Sequence, residues 1–250
     1  MVGAALQRRL TWRTAEVAEL VDETPSTRTV AMTVPDWPGH QAGQHLDVRL
    51  TADDGYQAQR SYSIASPPET ERVAITVERI DDGEVSPFLA GELRIGDKLE
   101  LRGPIGGYFV WDVSLGGPIL LIAGGSGVCP LVAMLRHRAA RRSVLPARLL
   151  YSARSIDDVI YREEVDHLAA DDSGLEVAYT LTRAQPAGWS GYDRRIDSTM
   201  LAEFAWPPAE RPLIYVCGPT PLVESVAESL VRLGHEAGRI KTERFGPTGG

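Results

Sequence analysis

The chain has 250 residues, of which 43% are apolar and 24% charged, and its formal net charge is −8. That length suits two ordinary domains, since single cores rarely grow past about 250 to 300 residues, and the acidic balance argues against a general nucleic-acid binder. Two cysteines, Cys129 and Cys217, are too few for a disulfide scaffold and lack metal-ligand spacing, so neither a metal site nor an iron–sulfur cluster is expected on this chain.

The N-terminal residues carry Arg8 and Arg9 but no following apolar core, unlike a secretory signal. The longest apolar block, Pro118-Ile119-Leu120-Leu121-Ile122-Ala123, falls far short of the ~20 residues that cross a bilayer. No membrane span is expected, and the cytoplasm is the expected location. From residue 14 to 110, short alternating runs separated by turn signals predict strands at 15–20, 28–34, 45–50, 59–64, 73–79 and 98–102, with a short helix near 85–90. Ala52-Asp53-Asp54-Gly55 has hairpin-turn chemistry, and Gly39 and Gly43 flank a bend before the third strand. This spacing suits a small antiparallel β-barrel or sandwich. From Pro118 the rhythm changes to strand, loop and amphipathic helix, with strands at 119–123, 147–153, 176–181, 213–217 and 239–242 and helices at 130–142, 159–169, 199–205 and 219–233. That alternation indicates a doubly wound, parallel α/β domain. The expected division is 1–115 and 116–250, at Ser114-Leu115-Gly116-Gly117.

In an open parallel sheet, ligands bind beyond the carboxyl ends of the strands. Gly124-Gly125-Ser126-Gly127-Val128-Cys129-Pro130 stands at such an end and opens a helix, so free N–H groups and close backbone approach make it a phosphate cradle by position. It departs from the dinucleotide fingerprint, because Pro130 replaces a third glycine and no acidic residue closes the next strand. A simple dehydrogenase is therefore disfavoured. Cys217-Gly218-Pro219 ends the fourth parallel strand, where the thiol is either a buried strand-end group or lies at the rim of a nicotinamide pocket. Arg154 and Arg183 follow the second and third strands, with Arg194 and Arg195 further on, as a 2′-phosphate would require or as surface arginines would stand. Arg136, Arg138, Arg141, Arg142 and Arg148 form a second basic cluster, read either as a solvated helix face or as a docking patch for an acidic partner.

Arg60-Ser61-Tyr62-Ser63 combines a guanidinium fork, a flat ring and hydroxyls on one strand. Alternation sends Arg60, Tyr62 and Ile64 to one face and Ser61 and Ser63 to the other, unless the strand end twists. Taken in order with Gly83-Glu84-Val85-Ser86, Gly103-Pro104-Ile105-Gly106, the Gly124–Pro130 loop and Cys217-Gly218-Pro219, this run resembles the ferredoxin–NADP reductase superfamily over residues 14 to 246. The resemblance implies an antiparallel FAD-binding barrel followed by a nucleotide-binding α/β domain. It further implies that Arg60 binds the FAD pyrophosphate, Tyr62 stacks on the isoalloxazine, Ser61 belongs to the same strand site and Ser63 approaches flavin N5. Val77 and Arg79 would line the neighbouring strand; Gly83, Val85 and Ser86 would offer N–H groups and a hydroxyl to the pyrophosphate; Ser126 would reach the flavin from the other domain. Gly125, Gly127, Val128, Cys129, Pro130, Arg154, Arg183, Cys217, Gly218 and Pro219 would hold the nucleotide, with Ser63 and Cys217 nearest the reacting atoms. Glu243-Arg244-Phe245-Gly246 resembles the acidic-aromatic ending of bacterial members, in which Phe245 would cover the flavin. Cys129, where the family commonly has a small residue, raises the prospect of a reactive thiol at a helix N-terminus.

The activity implied is electron transfer from NAD(P)H, with NADPH favoured by the arginine pattern, through FAD to a separate ferredoxin-like or flavodoxin-like carrier. Two alternatives stay open: the reductase component of a multicomponent oxygenase, and a non-catalytic flavin- and nucleotide-sensing subunit of a larger redox complex. The chain shows no cluster-binding cysteine set, and no globin is seen before the barrel, which argues against a flavohaemoprotein-type dioxygenase.

Overall fold

A computed structural model describes residues 10–245. Six strands, β1 (Trp12–Thr24), β2 (Thr27–Thr33), β3 (His45–Thr51), β4 (Gln57–Ser63), β5 (Val73–Glu78) and β6 (Lys98–Ile105), form one antiparallel sheet in the order β4-β3-β6-β1-β2-β5. A bridge between Ile64 and Ile75 brings the two end strands together, so the sheet rolls into a barrel. Its interior follows the period of two: Leu46 and Val48 on β3, Ala15 and Val17 on β1 and Leu99 and Leu101 on β6 are buried together. The expected helix near 85–90 is a single turn, Phe88–Glu92, with Leu89 plugging the barrel core.

The second sheet is parallel, with β7 (Ile119–Gly124), β8 (Ala147–Ala153), β9 (Leu175–Leu181), β10 (Leu213–Pro219) and β11 (Ile240–Phe245) in the order β11-β10-β7-β8-β9. Every residue of β7 is buried, because helices cover both faces of the sheet. Leu121, Tyr151 and Tyr215 share one core with helix α1 (Val128–Ala140) and with Val165 of α2 (Arg162–Asp171). Leu120, Ile122, Ile214 and Val216 share the other with α3 (Ser198–Phe204) and α4 (Thr220–Arg232). Strand order reverses between β7 and β10, which opens a crevice at their carboxyl ends.

Several boundaries differ from expectation for identifiable reasons. β1 extends over polar residues to Thr24, where it pairs with Thr27 across a tight hairpin, so ladder bonds rather than apolar alternation set its end. Helix α2 starts at Arg162 instead of 159: Val159, Ile160 and Tyr161 are buried in the core, the Ile160 N–H donates to the Tyr151 hydroxyl at 3.1 Å, and Tyr161 is left-handed at φ +60°. β11 runs three residues past 242 because each pairs with β10.

The barrel and the parallel sheet meet along a bonded seam. The Tyr161 hydroxyl contacts those of Thr76 and Thr29, Arg136 donates to the Ala65 carbonyl at 2.7 Å, and His137 lies between Glu69 at 2.7 Å and Asp112 at 3.2 Å. The basic cluster, read from sequence as a solvated helix face or as a docking patch, is solvated only at its end, and three of its five arginines are committed within the chain. Arg136 is bound to Glu164, Arg138 is buried with Asp172, and Arg148 pairs with Glu176 and lies over Trp206. Only Arg141 and Arg142 of the five are exposed. Among the described residues, no helix is long and apolar enough to cross a membrane.

Candidate functional site

Strand β4 presents two faces, and its register with β3 settles which residue lies on which. Tyr62 is opposite Leu46 and Arg60 opposite Val48, the positions that face the barrel interior; Ser61 is opposite Asp47 and Ser63 opposite His45, on the outer face. The half-buried Tyr62 ring packs against the core, and burial pushes its hydroxyl up to about 12, so the phenol is neutral. Ser61 departs from expectation, because its hydroxyl donates to Asp47 at 2.6 Å and Asp47 is also held by Arg102 at 2.7 Å. Ser63 shares its face with His45, not with Arg60 and Tyr62; burial holds that imidazole below its ordinary range, which keeps it neutral.

Arg60 reaches the loop after β5. Its guanidinium lies 2.8 Å from Glu84, and the Tyr56 hydroxyl donates to the other oxygen of the same carboxylate at 2.5 Å. Gly83 closes a turn by donating to the Ile80 carbonyl at 2.9 Å, and the Ser86 hydroxyl accepts the Ile80 N–H at 3.1 Å. Ser86 therefore braces the loop with the oxygen that was expected to face a phosphate. Arg79 pairs with Asp81 at 3.0 Å. Val77 and Val85 are wholly buried in the barrel core, main chain included, so both support the site from behind and expose no atom to a ligand here.

A second constellation stands at the carboxyl ends of β7, β8 and β10, in a cleft of about 290 Å³ whose walls include Gly125, Ser126, Arg154, Pro219 and Phe245. Glu78 at the end of β5 closes it from the barrel side and accepts the Ser126 hydroxyl at 2.9 Å. None of the β4 residues lines this cleft. The loop is shaped by close backbone approach: a Cβ at Gly127 would lie 2.3 Å from the Cys217 carbonyl oxygen, and one at Gly218 3.1 Å from the Gly124 nitrogen. Val128, Cys129 and Pro130 are buried as the first turn of α1, which leaves Gly125 and Ser126 as the part that faces the cleft.

Cys129 departs from expectation, whereas Cys217 takes the buried one of its two readings. Cys129 is 3% exposed and burial pushes it up to about 12, which removes the reactive thiolate imagined at a helix N-terminus. Cys217 is 1% exposed, and burial together with the nearby Glu243 carboxylate raises it well above the usual thiol range. It lies behind the cleft, and of Cys217, Gly218 and Pro219 only Pro219 lines it. Arg154 donates to Asp158 at 3.1 Å and lies 3.8 Å from Glu78, while the Arg183 N–H donates to the Arg154 carbonyl at 2.8 Å, so the two arginine loops run side by side. Arg194 is drawn away to Asp197 at 2.8 Å. Phe245 is opposite Pro219 in the ladder; Gly246 lies outside the described residues.

Sequence reasoning missed Glu78 and Tyr56 and named Glu243 without a role. Glu78 follows Val77 by one position and turns outward as Val77 turns in, a placement visible only once strand phase is known. Tyr56 stands in the hairpin turn with no motif to mark it. Glu243 pairs with Cys217 between β11 and β10, has one carboxylate oxygen buried without a partner, and is pushed up to about 7 by burial.

These arrangements fit the two ligands that the motifs imply. Arg60 and Tyr56 already converge on a carboxylate, so the pair is arranged to hold an anion. The glycine loop presses on neighbouring main chain at Gly127 and is open at Gly125, where it faces the cleft and a pyrophosphate would approach.

Comparison with known proteins agrees with this division. Residues 15–110 match the oxidoreductase FAD-binding domain and residues 121–228 the oxidoreductase NAD-binding domain. An NADH-cytochrome b5 reductase 1 of Pyricularia oryzae is 30% identical over 80% of this chain and 67% of its own length. The chain belongs to the ferredoxin–NADP reductase superfamily. Members similar to it include the reductase subunit of a glycine betaine monooxygenase from Chromohalobacter salexigens, 31% identical over 82% of this chain; the match spans only 56% of that relative's length. Among solved structures, the FAD/NAD-binding domain of a nitric oxide dioxygenase from Vibrio cholerae O1 biovar El Tor superposes with a TM-score of 0.83 at 26% identity, covering 94% of this chain and 99% of that one. In this superfamily the antiparallel barrel is the FAD-binding domain and the parallel sheet the NAD-binding domain, the order in which the two stand here.

Proposed function

We propose that this chain takes electrons from NAD(P)H and passes them through FAD to a separate protein acceptor. The observation that carries this reading is the cleft in which the glycine loop and Arg154 of the parallel sheet meet Glu78 at the edge of the barrel. Bound FAD supplies the chemistry, since it accepts two electrons and releases them singly. The chain supplies binding and orientation. Arg60 offers a fork to the pyrophosphate, the turn from Gly83 to Ser86 stands beside that fork, and the Tyr62 ring offers a flat face. Gly125 and Ser126 receive the nucleotide phosphates at the start of α1, while Pro219 walls the cleft beside them with Cys217 and Gly218 behind it. Phe245, 36% exposed at the mouth, covers the reacting face, and Glu243 is able to hold a proton near neutral pH. Residues 1–115 and 116–250 make up the two functional units.

NADPH is the favoured donor in this reading, because Arg154 and Arg183 stand on adjacent loops and Arg154 leans on Asp158 by an exposed pair that a 2′-phosphate can displace. The acceptor is a ferredoxin, a flavodoxin or an oxygenase component. The relative named as a monooxygenase reductase subunit supports the last of these. These 250 residues hold two cysteines, both buried, so a four-cysteine cluster must come from elsewhere. Anaerobic titration of the purified protein with NADPH and NADH in parallel, followed by mixing with candidate acceptors, tests the proposal. Bleaching of the flavin spectrum and reduction of an acceptor are expected; a protein that cannot be reconstituted with FAD overturns it.

A further inference from the structure

The hairpin turn between β3 and β4 and the loop after β5 meet at an ion cluster that the motifs do not describe. Glu84 receives two donors at once, the Arg60 guanidinium at 2.8 Å and the Tyr56 hydroxyl at 2.5 Å, one on each carboxylate oxygen. Both donors are braced from behind: the second arm of Arg60 donates to the Gln59 carbonyl at 2.7 Å, and the Tyr56 N–H donates to Asp54 at 2.9 Å. The hairpin tip is fixed by Gly55 at φ +88°. All three side chains remain solvent-accessible, with Tyr56 57% exposed, so the pairing is not forced by burial. The hydrogen bonds from Tyr56 and Arg60 hold the Glu84 carboxyl below the usual carboxylate range, so it is ionised whenever the cluster is formed.

A carboxylate and a phosphate group present the same kind of target, two oxygens sharing negative charge, to a guanidinium fork and a phenol. We propose that Glu84 is a tethered placeholder in the FAD pyrophosphate seat, and that Tyr56 is a cofactor-binding residue that donates to the pyrophosphate once Glu84 is displaced. This rests on the reading of Arg60 as the pyrophosphate clamp. The chain's own carboxylate then competes with the cofactor for the same two donors, and when displaced it remains nearby as a like charge. FAD is consequently held less tightly than the donors alone would allow, and the deficit is electrostatic. It shrinks as salt shortens the range of the repulsion.

The test compares wild type with Glu84→Gln, Tyr56→Phe, the double variant and Arg60→Ala, each stripped of flavin and retitrated with FAD and, separately, with riboflavin, which has no phosphate. Flavin fluorescence reports binding. Glu84→Gln is expected to tighten FAD about two- to fivefold at low salt, the scale of an exposed ion pair, with the gain fading near 1 M salt. Tyr56→Phe is expected to weaken FAD about two- to tenfold in both the wild-type and the Glu84→Gln backgrounds. Riboflavin affinity should not change in either. If Tyr56→Phe tightens FAD, the phenol merely serves Glu84; if Glu84→Gln leaves FAD affinity unchanged, weakens it, or alters riboflavin equally, there is no placeholder. Either outcome overturns the inference while Arg60→Ala still weakens FAD. If Arg60→Ala has no effect on FAD, the clamp reading itself fails.

Discussion

The two constellations are built on opposite principles. On the barrel, half-buried Arg60 meets the exposed side chains of Glu84 and Tyr56 through ionic hydrogen bonds, outside the buried core. At the parallel sheet, Gly127 and Gly218 press main chain against main chain, and the thiols behind them are sealed from water. One region is adjustable and weakly coupled to stability, whereas the other is rigid and inseparable from the fold. In the proposed reading the FAD seat carries its own competing charge, while the loop before α1 leaves no room for a side chain at Gly127.

Substitution at the rigid end should produce the largest effect. Gly127→Ala places a methyl 2.3 Å from the Cys217 carbonyl oxygen, where main chain rather than a mobile side chain must give way. Thermal unfolding is expected to show a loss of about 2–4 kcal/mol, with NAD(P)H binding abolished. A wild-type melting temperature would show that the loop yields easily and would erase the contrast between the regions.

Arg60→Ala should lower FAD affinity roughly 10- to 100-fold, the scale of a hydrogen bond to a charged group, while the melt of the flavin-free chain moves by less than about 0.5 kcal/mol. Equal losses in binding and stability would instead make Arg60 a structural residue.

Glu243 sharpens the contrast through pH. Its folded-state pKa of about 7 exceeds the ordinary 4.5, so the folded chain binds the extra proton between these values. Its stabilising contribution is therefore complete below pH 4.5 and lost as pH rises through 7, on the order of 1–3 kcal/mol. Glu243→Gln should flatten that slope in denaturant midpoints measured from pH 5 to 8.

Arg154→Ala should reduce the NADPH-to-NADH preference about tenfold, read as a ratio of kcat/KM values. An unchanged ratio would remove the 2′-phosphate contact from the proposal. The smallest response belongs to the thiols: neither Cys129 nor Cys217 should react with a thiol-specific chromophore in the native protein at pH 8, and both should react on unfolding.

Much of the architecture was legible because both halves bury their residues with a regular period. Alternation along 28–34 and 45–50 located β2 and β3 to within a residue, and the continuous apolar block at 119–123 located β7. The Val159-Ile160-Tyr161 run misled, since three consecutive apolar residues read equally as the start of a helix or as an extended plug; here they plug the core ahead of α2. Side-chain commitments were less legible still. Ser61 looked available to a ligand until its cross-strand partner proved to be Asp47, and Ser86 until its oxygen was found on Ile80. Cys217 looked like a rim thiol because its exposure depends on Gly127 and Glu243, residues far away in the chain.

The sequence by itself determined the local chemistry: where strands and helices run, where glycine permits close approach, and which motifs stand at strand ends, all of which depend on neighbours within a few positions. Only the tertiary structure decided which donors are free, because cross-strand register and the seam between the two sheets pair residues dozens of positions apart. Alternation already separated Arg60 and Tyr62 from Ser63, and register decided which face turns inward by setting Tyr62 opposite Leu46. Packing at the seam turned Arg136 from a docking charge into a structural tie. Long-range pairing also seated Glu84 on Arg60, so the clamp that the motif advertised is already gripping a carboxylate of its own chain.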